Sequence, residues 1–150
     1  MRIAFAAPLL TLALAACGNP DTPGGRIADQ RHENFEEIGD AFKVVTDQLQ
    51  SSKPDVAAIQ AAAATITGFA PKVATWFPAG SSPADGIKTD ALLAIWAKPA
   101  EFKAAAARLV DESAKFNALA QAGDLAAIGN GMKALGGACK NCHDTFREKE

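Results

Sequence analysis

Tyrosine is absent from this chain of 150 residues, and cysteine, histidine and methionine number only three, two and two. No phenol can therefore ligate a metal or donate a hydrogen bond to a bound small molecule. Basic charge is not in excess either: 15 Lys and Arg stand against 17 Asp and Glu, a formal net charge of -2. The electrostatic footprint that nucleic-acid binding requires is missing, so no nucleic acid is expected as a partner. The chain also has no credible strand run and no internal repeat, and no pair of carboxylates or nucleophile–base set gathers around a predicted cleft. It reads as all-α and as no enzyme. What it does have is apolar content, 49% with many alanines, enough for one helical core in a chain of this length.

Against this scarcity, Cys139-Lys140-Asn141-Cys142-His143 concentrates two of the three cysteines and one of the two histidines. This is the C-x-x-C-H pattern by which a c-type haem is covalently attached and ligated. Two thiols three residues apart on a helix share one face, within reach of the vinyl groups on one edge of a porphyrin. His143 follows directly and can turn its imidazole under the ring as the axial iron ligand. By composition a chance match has a probability on the order of one in a thousand. The other readings are a redox dithiol, half of a zinc site, or a structural cysteine pair. A thioredoxin-like dithiol would sit near a βαβ pattern, and a zinc site needs further ligands, for which only His32 and Cys17 remain.

The N-terminus reads as an export signal. Met1-Arg2 is a short positive region, and Ile3 to Ala13 is an apolar stretch too short to span a bilayer as a mature helix. It closes on Leu14-Ala15-Ala16-Cys17, which resembles the lipobox of bacterial lipoproteins. Cleavage there would leave Cys17 lipidated at the new N-terminus and the protein held on a membrane by its acyl chains. Ordinary signal cleavage at the nearby small residues is the alternative, leaving a soluble protein. Residues 1–16 are thus expected to be a signal peptide, residues 17–25, rich in Gly and Pro, a flexible tether, and residues 26–150 one domain.

Within that domain the apolar spacing predicts four helices. The first runs from about Arg26 to Ser51 on Phe35, Ile38, Phe42, Val45 and Leu49; the second, with Pro54 as its first residue, carries Val56, Ile59, Ala63, Ile66, Ala70 and Val73. Pro78 to Gly86 is expected as a surface connection, and Ile87 to Trp96 as a short helical segment. Pro99 opens the third helix, which holds Phe102, Leu109, Phe116 and Leu119 and stops at Gly123. Asp124 caps the fourth, whose seam is Leu125, Ile128, Met132, Leu135, Cys139, Cys142 and Phe146. The two cysteines fall on core positions, so the porphyrin is expected inside an antiparallel four-helix bundle. Gly136 and Gly137 either leave room for the ring or mark a local bend.

A four-helix bundle with C-x-x-C-H at the end of its last helix resembles the class II c-type cytochromes, particularly cytochrome c′. The quoted segments are Arg31-x-x-x-Phe35-x-x-Ile38-Gly39-x-x-Phe42, Ile95-Trp96 through Phe102-Lys103, and Cys139-x-x-Cys142-His143-Asp144-x-Phe146-Arg147. The resemblance implies one covalent haem c with His143 as axial iron ligand, Phe35 over the open face of the iron, Arg31 near the haem propionates and Arg147 on the proximal side. It implies attachment outside the cytoplasmic membrane, hence a periplasmic location, and a homodimer through the first two helices, as in many relatives. Arg147 follows His143 by one helical turn, and a C-terminal cation favouring the helix dipole is its alternative role.

The sixth iron position has no obvious protein donor. Met132 lies on the same helix as His143, roughly 16 Å along its axis. His32, three residues before Phe35, is either a distal ligand or a rim residue near a propionate. The expected site is a five-coordinate, high-spin iron under an apolar roof, suited to NO and CO rather than O₂. The function classes are a gas-binding haemoprotein, a one-electron carrier with redox partner proteins, and a haem-free helical lipoprotein.

Overall fold

The computed structural model describes Asn19 and residues 21–149; the expected signal peptide and Cys17 lie outside the described residues. Helix α1 (Pro23–Gln50) begins three residues before the expected Arg26, because the Thr22 hydroxyl accepts the Gly25 N–H at 3.0 Å and Pro23 occupies the first turn. Gly24 and Gly25, expected in the tether, are helical. Helix α2 (Val56–Phe69) is likewise headed by a cap: Asp55 accepts the Ala58 N–H at 3.1 Å, so Pro54 stays outside the helix instead of opening it. A 3₁₀ segment, Ala70–Thr75, continues it.

The connection that follows is only partly at the surface. Ser81 and Ser82 are buried, and Ser82 and Asp85 cap each other around a 3₁₀ turn, Pro83–Asp85. The helical segment expected over residues 87–96 shrinks to one turn, α3 (Ala94–Ala97). Helix α4 (Pro99–Ala122) stops at Gly123, whose φ of 77° lets its N–H turn back to the Leu119 and Ala120 carbonyls. Helix α5 (Leu125–Phe146) starts on Asp124, which accepts the Ala126 and Ala127 N–H groups at 2.9 and 3.2 Å.

The long helices pack in chain order, α1 on α2, α2 on α4 and α4 on α5. Val45, Ile59, Ile66, Phe116, Ile128 and Leu135 are fully buried where the four stripes meet. Val56–Thr75 is apolar and long enough to cross a membrane, yet Ile59, Ala63, Ile66 and Val73 pack into this core, as a helix of the bundle does. The expected antiparallel four-helix bundle stands. The α1 and α5 backbones come less close together than the other neighbouring pairs do. Where they do meet, Gly136 lies under the Phe42 ring, and a Cβ there would stand 3.3 Å from Phe42 Cζ.

Candidate haem site

Cys139 and Cys142 sit on the last turns of α5 as free thiols, both half-buried, with Cys142 against the hydrophobic core. A recess of about 320 Å³ between α4 and α5, lined among others by Ala105, Ala138 and Cys142, keeps that thiol reachable. Burial pushes both thiols up from the ordinary cysteine value, favouring the protonated form. No group of three or more His, Cys, Asp or Glu side chains gathers as a metal site among the described residues. The donor set therefore does not suit zinc. It does suit a porphyrin: two thiols on one face of α5, an imidazole beside them, and a recess between α4 and α5 that reaches Cys142.

His143 is exposed. Partial burial, with the Arg147 charge adding to it, lowers its pKa, while Asp144 opposes the shift; the imidazole is held neutral, the form that can give a lone pair to iron. Arg147 caps α5 in extended conformation, its N–H bonded to the His143 carbonyl at 3.1 Å. A short antiparallel bridge to Ala91 continues from there: Leu92 N–H donates to the Phe146 carbonyl at 2.9 Å and Glu148 N–H to the Asp90 carbonyl at 2.7 Å. The Arg147 guanidinium also pairs with the Asp90 carboxylate at 3.5 Å.

Phe35 is half-buried and stands edge-on to Trp76, ring centroids 5.1 Å apart, and 6.3 Å from Phe77. Phe77 continues to Phe102 at 4.9 Å, and Phe102 to Phe146 at 5.3 Å. An aromatic chain thus runs from α1 to the turn carrying His143. Trp76 and Phe77 had no periodic signal in the sequence, because they lie in the connection after α2. Only their apolar bulk beside Pro78 could have marked them.

Arg31 is 4% exposed. Its Nη1 donates to the Trp76 carbonyl and Ser81 hydroxyl, both at 3.3 Å, and its Nη2 to the Ser81 carbonyl at 3.3 Å and the Thr89 hydroxyl at 3.0 Å. The guanidinium lies over the Phe77 ring, 4.6 Å from its centroid. Every one of these partners is neutral, and burial alone lowers its pKa. His32, by contrast, points outward: its side chain is 70% exposed and pairs with Glu36 at 3.2 Å. Met132 is a buried core residue. Of the residues singled out in the sequence, the structure thus gathers Arg31, Phe35, Cys139, Cys142, His143 and Arg147 at one end of the bundle.

The family model described as Cytochrome C′ matches residues 26–147. Cytochrome c′ from Pararhodospirillum photometricum is 35% identical over 121 residues, covering 80% of this chain and 94% of that protein. The crystal structure of cytochrome c′ from Rubrivivax gelatinosus superposes with a TM-score of 0.76 at 32% identity, covering 85% of this chain and 98% of that one. A nitric oxide complex of a variant cytochrome c′ from Alcaligenes xylosoxidans gives a TM-score of 0.75 at 26% identity, covering 85% and 97%. The chain therefore belongs to the cytochrome c′ family and carries that family's covalent haem c with its iron.

Proposed function

We propose that this cytochrome binds NO and CO at a five-coordinate, high-spin haem iron. The observation that carries the reading is the distal side. Phe35 faces inward among Trp76 and Phe77, while His32 is turned to solvent and Met132 is locked in the core. Haem supplies an iron that accepts or gives one electron and, when one axial position is free, takes up a diatomic ligand. The chain's residues do the rest. Cys139 and Cys142 would hold the ring through their thiols, and His143, its pKa lowered by burial, would offer a neutral nitrogen to the iron. Arg147, fixed by Asp90, adds positive charge beside it. Phe35, packed against Trp76 and Phe77, would shield the ring from water and would offer a bound gas no hydrogen-bond donor, which disfavours O₂. The nitric oxide complex of the relative from Alcaligenes xylosoxidans supports this reading. The unmatched cation at Arg31 supports its role toward a haem propionate. The protein has no enzymatic activity of its own.

One-electron transfer is the second reading, favoured by the exposure of His143 at the molecular surface; in it redox partner proteins approach that end of the bundle. The place of action is the periplasm, with the protein anchored through lipidated Cys17. An absorption spectrum of the ferrous protein tests the first reading: the high-spin form is expected without added ligand, and both NO and CO should shift it. A low-spin spectrum of the ligand-free protein would reject the pocket.

A further inference from the structure

We propose that the lipid anchor holds the haem end of the bundle directly against the bilayer, with no slack between membrane and domain. This rests on the reading of Cys17 as the lipidated residue. Asn19, two positions later, is already fastened. Its amide Nδ2 donates to Asp29 at 2.6 Å, and its Oδ1 accepts the Lys88 N–H at 2.8 Å. The turn after it is fastened as well: Thr22 caps α1, and Gly24 lies so close to the connection that a Cβ on it would stand 1.9 Å from the Gly80 carbonyl oxygen. Two residues of chain reach at most about 7 Å. The acyl chains on Cys17 must therefore enter the membrane beside the 80–88 loop.

That loop marks the haem end. Lys88 is two residues from Asp90, which pairs with Arg147 and, through its backbone, with Glu148. Thr89, between them, receives Arg31. The opposite end of the bundle, where Lys53 lies in the turn between α1 and α2, is farther away by the length of α5, whose 22 residues span about 33 Å. Lys88 and Lys53 are both exposed in the protein itself, so they report on the two ends. The partner is thus a lipid surface, and the iron is presented to what the bilayer holds.

The test uses the exported, haem-loaded protein in phosphatidylcholine–phosphatidylglycerol vesicles, which contain no amines, and an amine-acetylating reagent. Lys88 should lose most of its reactivity on vesicles relative to detergent, while Lys53 keeps its own. A variant with a Gly-Ser linker of about 12 residues inserted between Gly18 and Asn19, with a reach of roughly 20 Å, should recover Lys88 reactivity while staying bound. Equal reactivity of Lys88 and Lys53 on vesicles, with acyl chains found on Cys17 by mass spectrometry, would overturn the orientation and leave the anchor standing. An N-terminal peptide without acyl chains would overturn both.

Discussion

Arg31 is a charge buried among neutral acceptors, and its worth is decided by two opposed effects. Desolvation of the guanidinium disfavours it, whereas four hydrogen bonds and a ring contact tie α1 to Trp76, Ser81 and Thr89. Charged hydrogen bonds contribute more than neutral ones, so Arg31→Gln should destabilise the domain by about 1–3 kcal/mol in urea unfolding. Arg31→Lys should restore only part of it, because an ammonium cannot reach both carbonyls and both hydroxyls as a planar fork does. Phe35 poses the complementary case of a residue defined by what it does not offer. Replacing Phe35 with Met puts a thioether on the iron face that the resemblance assigns to Phe35, and the ferrous spectrum should change from high-spin to low-spin. His32→Ala should leave the spectrum unchanged, since its ring pairs with Glu36 outside the bundle.

At the scale of elements, stripes and caps were legible in the sequence and the connection between α2 and α4 was not. Pro99, Gly123 and Asp124 act locally, through φ or a side-chain oxygen, and the third and fourth helices begin and end where those residues put them. Pro54 misled because Asp55 is the better cap, and Gly24 and Gly25 misled because Thr22 and Pro23 overcome their poor helix propensity. The 76–91 connection holds Trp76, Phe77, Ser81, Thr89 and Asp90, all tied to the site by contacts distant in sequence. Arg31, Phe35 and the haem pentapeptide could be named beforehand, but not these partners. Helix packing also separates glycines that the sequence cannot tell apart. Gly39 in α1 has nothing near its missing Cβ, whereas a Cβ on Gly131 in α5 would stand 2.6 Å from Leu119 Cδ1 and 3.3 Å from Phe116 Cδ2. Gly39→Ala should therefore stabilise by about 0.5–1 kcal/mol. Gly131→Ala should destabilise by about 1–2 kcal/mol, overpacking outweighing propensity. Thermal unfolding of the two variants checks the difference.

For the molecule as a whole, the bundle and its cofactor divide the work: the helix contacts close a core, and the two half-buried thiols of α5 stand beside its fully buried part to hold the porphyrin. Replacing both Cys139 and Cys142 by Ala should abolish covalent haem, seen as loss of the pyridine haemochrome signal from the denatured chain. The helices should survive, because the fully buried residues pack without either thiol. One small feature governs how such a molecule comes into being. The pairing of Asp90 and Leu92 with Glu148 and Phe146 stitches the tail to the middle of the chain. A nascent polypeptide whose tail has not yet emerged cannot make that stitch, and its two sulfurs then sit on a frayed, accessible helix end. On the proposal that the chain is exported, haem attachment accordingly has a natural interval, ended when the last residues dock on residues 90–92.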